Sequence, residues 1–331
     1  MPPILPFEQP AASLLNVSAD LTRRGFVLGG TATLLGLVGC SATGIGAGAG
    51  QSSAGDRTVT TSLGTYAIPT EPQRVIAIDS RLGLEPGVAL ELPMIGYSYG
   101  QAEPWVPIGV DVPLLKSPPS IEEIAAMAPD LILCTDVGAD SELWPLKKLH
   151  EIAPTLPLDY TKPWRSNLQQ LIDWLGWVDT ERATKAMTGY DARVAEVKSS
   201  HATTIADATI AIVQYSEDGV RASAAAFTSQ QVAADLGVQV AEIEGALSSD
   251  GRTLALISKE RYDVFDHADA MLVTSDAATA KTVEADKVWQ RIPAVAAGHV
   301  VYSEGNINYG SIYTATKGLD LFDQLLTSMT A

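Results

Sequence analysis

The chain has 331 residues, 46% of them hydrophobic, and a formal net charge of −17 from 22 basic and 39 acidic side chains. That length suits one or two globular domains, and so acidic a surface argues against nucleic acid or an anionic membrane face as a partner. Two cysteines, Cys40 and Cys134, are too few for a disulfide framework.

In chain order, Thr22-Arg23-Arg24-Gly25-Phe26-Val27-Leu28 opens an apolar stretch that runs to Val38. Paired arginines before a modest apolar segment have the form of a twin-arginine export signal. The stretch is too short and too rich in Gly and Thr to span a hydrocarbon core, which takes about 20 apolar residues. It ends at Leu37-Val38-Gly39-Cys40, which resembles the lipobox of bacterial lipoproteins, where the cysteine thiol accepts the lipid. Residues 1–39 are therefore expected to be a removable signal peptide, with the mature chain held by lipid on Cys40 at the extracytoplasmic face of the cell membrane. The segment that follows is Ser, Ala and Gly with almost nothing large, so a flexible tether is expected over 40–60. Cys134 then stands alone in the apolar run Leu131-Ile132-Leu133-Cys134 and reads as a buried thiol.

From Arg74 onward apolar runs alternate with helical patterns. Arg74-Val75-Ile76-Ala77-Ile78-Asp79 precedes a helix through Leu90, and Pro93-Met94-Ile95-Gly96-Tyr97 follows. Next come a helix near Ile121 to Ala128, a strand from Asp130 to Thr135, a helix from Ser141 to Ala153 and the strand-like Thr155 to Tyr160. Continuous apolar runs between helices predict a parallel sheet covered on both faces. A second set begins at Thr209-Ile210-Ala211-Ile212-Val213-Gln214-Tyr215. It continues with a helix near Gln230 to Leu236, the run Ala270 to Thr274, a helix at Ala280 to Trp289, His299 to Tyr302, and an amphipathic helix from Tyr313 to Met329.

Between the two sets, Ala183, Ala186, Met187, Tyr190, Val194 and Val197 recur at helical spacing, with Asp179 placed as N-cap. Within a bridging segment over 179–202, a helix from 179 to 200 spans roughly 30 Å at 1.5 Å per residue, enough to join two lobes. The expected fold is therefore α/β, with two Rossmann-like lobes over 61–178 and 203–331, parallel sheets in each, and a single long helix between them. The lobes share a local pattern, Ser120-Ile121-Glu122-Glu123-Ile124 before Pro129-Asp130-Leu131 and Ser258-Lys259-Glu260-Arg261-Tyr262 before Ala268-Asp269-Ala270. In each, a serine N-cap opens a short helix with a glutamate in its first turn.

Arg74-Val75-Ile76-Ala77, Ser120 through Ala126 with Pro129-Asp130-Leu131-Ile132, Ile152-Ala153-Pro154-Thr155 and Val288-Trp289-Gln290-Arg291-Ile292-Pro293-Ala294 through Val300 resemble the substrate-binding proteins of iron-siderophore ABC importers, a family that includes ferrichrome-, cobalamin- and haem-binding proteins. The resemblance runs from about residue 65 to the C-terminus. It implies a ligand in the cleft between the lobes, small closure movements about the bridging helix, and one glutamate per lobe docking on arginines of the membrane permease. The matching positions are Glu122 and Glu260, whose alternative reading is a helix-dipole carboxylate on a solvated face. The implied partners are a ferric siderophore complex and an ABC permease, with no resident cofactor and a monomeric chain.

Ligand contacts are sought just past strand ends, where α/β sheets bind. The first lobe offers Asp79, Ser80 and Arg81, then Tyr97, Ser98, Tyr99 and Gln101, with Trp105 nearby. The second offers Tyr215, Ser216, Glu217, Arg221 and Phe227, and near the end Tyr302, Asn306, Asn308, Tyr309 and Tyr313. Aromatic faces and arginines suit a bulky chelate whose oxygens already satisfy its iron. Tyr97, Tyr99 and Trp105 lie in a Gly- and Pro-punctuated stretch, which favours cleft over core. Arg81 and Arg221 serve equally well as surface ion-pair partners; Tyr302 also completes a buried strand, and Tyr313 also faces a core.

The four histidines, His150, His201, His267 and His299, form no i, i+4 pair, so no metal ligand set is expected. Ser258-Lys259 lacks the Ser-x-x-Lys arrangement of a serine hydrolase. A binding protein rather than an enzyme is expected, with an extracytoplasmic hydrolase as the alternative class. Net charge favours a neutral or cationic ferric hydroxamate over a triscatecholate. Haem and cobalamin remain alternative ligands, with Tyr97 or Tyr99 available as an axial ligand to haem.

Overall fold

A computed structural model describes residues 55–216, 219–224, 227–244 and 256–330. The expected signal peptide, Cys40, most of the tether and Glu217 lie outside these residues. Residues 56–60, assigned above to the tether, instead form most of β1 (Asp56–Thr61), which pairs antiparallel with β2 (Gly64–Pro69). The turn between them needs Gly64, whose φ of +117° is a conformation that side chains with a Cβ rarely adopt.

The first lobe then follows as β3 (Val75–Ile78), α1 (Leu84–Ala89), β4 (Met94–Tyr97), α2 (Ile121–Ala126), β5 (Leu131–Asp136), α3 (Leu146–Ile152), β6 (Thr155–Asp159) and α4 (Trp164–Leu175). Its four strands are all parallel, in the order β4-β3-β5-β6. Every residue of β3 and all but the last of β5 are buried, because helices cover both faces of the sheet. That explains why these strands read as unbroken apolar runs rather than alternating ones. The helix expected from Ser141 starts only at Leu146, after Pro145, since proline has no N–H to donate within a helix.

The long helix is α5 (Glu181–Ser200), 20 residues, capped by Thr180, whose hydroxyl accepts from the Ala183 N–H at 3.3 Å. Asp179, the expected cap, falls one residue too early for that bond. Ala183, Tyr190 and Val197 are its buried positions, a seven-residue spacing that makes one narrow stripe. Its charges reach in two directions. Arg182 and Lys185 pair with Glu71 and Glu91 of the first lobe at 3.2 and 3.3 Å. One turn further on, the Tyr190 hydroxyl bonds to Asp235, and Arg193 meets Asp320 and Asp323 at 3.1 and 2.9 Å in the second lobe. After α5 comes α6 (Ala202–Asp207).

The second lobe comprises β7 (Thr209–Ser216), β8 (Gly219–Ala222), α7 (Thr228–Leu236), β9 (Gln239–Val240), β10 (Ala270–Thr274), α8 (Ala277–Glu284), α9 (Pro293–Ala296), β11 (Val300–Tyr302) and α10 (Ile312–Ser328), with 3-10 turns at Lys259–Phe265 and Trp289–Arg291. Its sheet runs β11-β10-β7-β8, with β9 also paired to β7. All pairings are parallel except β7 with β8, so a hairpin arm is added to the expected parallel sheet. One hydrophobic cluster passes from Leu131 and Leu156 through Tyr190 and Val197 to Ile212 and Phe322, so the lobes and the bridging helix share a core.

The repeated glutamate pattern is only partly symmetric. Ser120 caps α2 by accepting from the Glu123 N–H at 3.2 Å, whereas Ser258 caps no backbone group and precedes a 3-10 turn rather than an α-helix.

Candidate functional site

The site is built outward from the end of β3. Asp79 is 2% exposed and accepts from the Thr135 hydroxyl at 2.6 Å and from the Arg81 backbone N–H at 2.8 Å. Its carboxylate also receives the Arg81 Nε at 3.4 Å. Burial acts to lower the Arg81 pKa, but Asp79 and Tyr99 outweigh it and hold the guanidinium above its ordinary value. A charge so fixed presents its flat face to rings: the Arg81 Cζ lies 4.8 Å from the Tyr99 ring centroid and 5.3 Å from that of Tyr309. Cation-π contacts of this kind contribute about 0.5–1 kcal/mol when exposed and more when desolvated.

Tyr99 reaches this position by a backbone route that costs free energy. Its φ is +79°, in the left-handed region, which for a bulky residue costs roughly 1–3 kcal/mol. The ring is carried onto Trp144 at 4.6 Å and under Arg81. Tyr160, one residue past β6, stacks on Tyr309 at 5.7 Å, and Phe227 at the start of α7 meets Tyr309 edge-on at 4.8 Å. Burial pushes both tyrosine hydroxyls to higher pKa, and the two share a hydrogen bond. Rings from both lobes thus converge on one guanidinium.

The turn bearing Tyr309 is held from behind. Asn308 is 2% exposed; its Oδ1 accepts from Ser229 at 3.0 Å and Thr274 at 3.2 Å, and its carbonyl accepts from the Thr228 N–H at 2.9 Å. Thr228 also donates its hydroxyl to the Gly310 carbonyl at 3.2 Å. Beside this turn is a recess of about 40 Å³ lined by Leu82, Tyr160, Trp164, Phe227 and Tyr309 among others. Space for little more than a water means that a bulky ligand displaces the rings or parts the lobes. Trp164 leaves its buried indole N–H without a partner among the described residues.

Two expected contacts belong to the core instead. Tyr97 is 2% exposed and packs with Ala77, Leu84, Ala102 and Val106, while its hydroxyl accepts from Gln101 at 3.1 Å. As the last residue of β4 its ring turns into the sheet's cover, and the residue two further on, Tyr99, turns out. Tyr215 is 8% exposed against Trp289, centroids 5.5 Å apart. Strand alternation places it with Ala211 and Val213 on the face of β7 opposite Ile210 and Ile212.

Arg81, Tyr99, Phe227 and Tyr309 are brought together. Trp105 lies at the lobe junction, its Nε1 donating to Thr314 at 3.1 Å, and Arg221 sits half-buried on β8 opposite Gln214. Tyr302 accepts from Trp289 Nε1 at 2.9 Å, away from the rings. The sequence reading passed over Tyr160, although the same strand-end rule picks it out. It also passed over Glu85, which carries no local signal. Glu122 and Glu260 are both exposed, each bonded to the serine two residues before it. Among the described residues no group of His, Cys, Asp and Glu is placed to hold a metal ion, and no helix is long and apolar enough to cross a membrane.

Comparison with known proteins agrees with this architecture. The chain is 30% identical over 168 residues, 46% of its length and 52% of the relative's, to the ferric enterobactin-binding periplasmic protein FepB of Escherichia coli O6:H1. It is 30% identical over 188 residues, 55% of its length and 57% of the relative's, to the iron(3+)-hydroxamate-binding protein FhuD of Bacillus subtilis. The matches thus span about half the length of these curated relatives. A periplasmic solute binding protein of Mycobacterium smegmatis has the same fold at a TM-score of 0.67, with 21% identity over 84% of this chain and 100% of the other. Residues 114–306, more than half of the 331, match the profile of the family described as periplasmic binding protein. The chain belongs to the periplasmic binding protein family.

Proposed function

We propose that this protein captures a ferric siderophore between its lobes and delivers it to an ABC permease, anchored meanwhile by lipid on Cys40 at the outer face of the cell membrane. The observation that carries the reading is Arg81 held over Tyr99 and Tyr309, with Tyr160 and Phe227 alongside, at the line where the lobes meet. Flat aromatic and guanidinium faces suit the apolar skin of an iron chelate, and they leave the metal to the chelator.

The two curated relatives are named for ligands of opposite character, a catecholate and a hydroxamate, so local charge decides between them. Around the rings, Arg81 is opposed by Asp79 and Lys162 by Asp159 at 4.0 Å. Such a site offers no net positive charge to a trianionic triscatecholate, and a net −17 over the chain repels it at long range. Ferric hydroxamates meet neither obstacle. Glu122 and Glu260, exposed and one per lobe, are the proposed contacts with the permease.

Tryptophan fluorescence of the purified protein, titrated with ferrioxamine, a ferric triscatecholate, haem and cobalamin, tests the reading. Saturable quenching by ferrioxamine at the lowest concentration is expected. Quenching by haem or cobalamin alone would replace the ligand class, and no quenching by any of the four would sink the proposal. Reversing Glu122 and Glu260 to Arg should stop uptake by cells with quenching unchanged; lost quenching would contradict the docking role.

A further inference from the structure

Beneath the aromatic cluster the lobes are joined by a second contact, separate from α5. Glu85 lies in α1, one helical turn after Arg81, and is fully buried. Its Oε2 accepts from the backbone N–H groups of Ser311, Tyr313 and Thr314 at 2.8, 3.1 and 2.9 Å, and its Oε1 bonds to the Thr314 hydroxyl at 2.6 Å. These are the orphan donors of the first turn of α10, the last helix of the other lobe, and Ser311, at the N-cap position, makes no side-chain cap bond. A helix whose own sequence supplies no cap is therefore capped by a carboxylate 226 or more positions away in the chain.

Neighbouring contacts tighten the same joint. Trp105 donates its Nε1 to Thr314 at 3.1 Å, and the Glu103 carboxylate accepts from the Asn306 N–H at 3.2 Å. The backbone approach there requires glycine: a Cβ on Gly305 would stand 2.6 Å from the Trp105 ring, and one on Gly310 would stand 2.3 Å from Thr314. Tyr309 is two residues before Ser311, and Arg81 is four before Glu85. The stretch from Tyr309 to Ser311 and that from Arg81 to Glu85 are thus two sides of one frame, closed above by the ring contact and below by the carboxylate.

We propose that Glu85 is a positioning residue of the cleft: by capping α10 from the opposite lobe it fixes Tyr309 against Arg81 and so sets the aperture that a ligand meets. Four bonds to one carboxylate, in a site with no water access, make the joint stiff, since breaking it leaves three buried N–H groups and a carboxylate unpaired at once. The joint also survives a change of protonation. A proton on Oε1 is donated to the Thr314 hydroxyl, whose oxygen has two lone pairs, while Oε2 still accepts from the three N–H groups. The effect on affinity rests on the ligand-binding reading above; the effect on the joint does not.

Hydrogen exchange at residues 311–314, measured on the full chain without ligand, tests the joint, and ferrioxamine titration tests the aperture. Glu85→Ala removes the acceptor of all four bonds and should speed exchange at 311–314 by about tenfold or more, with strand β10 unchanged as a control for global unfolding. The dissociation constant for ferrioxamine should rise by about tenfold or more. Should Glu85→Ala fail to fold, Thr314→Val should reproduce both effects and Thr314→Ser, which keeps the hydroxyl, should restore both. Unchanged exchange at 311–314 overturns the proposal, as does faster exchange with unchanged affinity or a Thr314→Ser as defective as Thr314→Val. If the wild-type chain binds none of the ligands, the siderophore reading fails and the exchange comparison alone decides the role of Glu85.

Discussion

The first lobe delivers its share of the cleft from the ends of β3, β4 and β6, as Arg81, Tyr99 and Tyr160, while the second delivers Phe227 and Tyr309 from a helix start and a turn. In the first, rigidity comes from a buried ion pair and from a residue held at positive φ directly on an all-parallel sheet. In the second, it comes from a network of neutral hydrogen bonds around Asn308 and from a carboxylate lent by the first lobe. Similar layers thus do not imply similar energetics. A charge buried beside a sheet is expensive to unpair, whereas a turn held by amides and hydroxyls loses less when one bond is removed.

The largest expected effect is therefore in the first lobe. Asp79→Ala strands the Arg81 guanidinium in a site where the pair is nearly buried, and should cost about 3–5 kcal/mol in denaturant unfolding. A cost near that of a surface substitution would show that water reaches Arg81 and would erase the contrast between lobes.

Next comes the acid dependence of the borrowed carboxylate. Desolvation is the largest influence on Glu85 and raises its pKa from 4.5 to about 7, with the four donors pulling back. Between those values the folded chain holds a proton that the unfolded chain has lost. This contribution to stability is full below 4.5, declines as pH rises and is gone above about 7. The wild type should lose about 3 kcal/mol relative to Glu85→Gln across that window. Parallel stability curves for the two proteins would contradict it.

The smallest effect on stability belongs to Tyr99→Asn. Asparagine tolerates the left-handed backbone, so relief of strain offsets the lost contacts with Trp144 and Arg81, and stability should stay within about 1 kcal/mol of wild type. Quenching by ferrioxamine should nonetheless weaken by about tenfold. A protein that keeps full affinity would remove Tyr99 from the clamp.

How much of this was legible beforehand depended on the range of the interaction. The strands of the first lobe announced themselves as apolar runs because both faces of the sheet are covered, and α5 announced itself through Ala183, Tyr190 and Val197. Arg81, Tyr99, Phe227 and Tyr309 followed from the rule that binding residues sit past strand ends. The rule erred at Tyr97 and Tyr215, since it gives the height of a residue on the sheet and not its side. Tyr160, one residue past β6, satisfies the same rule. The cap of α5 was misplaced by one residue because Asp179 and Thr180 are both good caps, and the hydrogen bond to Ala183 selects one of them.

Local sequence alone determined the alternation of strands and helices, the long amphipathic helix and the acidic character of the chain, because each depends on periodicity or composition within a short window. Only the tertiary structure decided which aromatic rings face the cleft, that Arg81 is shared between Tyr99 and Tyr309, and that α10 is capped by Glu85. Those outcomes join residues far apart in the chain, through distances and burial that exist only once the two lobes are packed together.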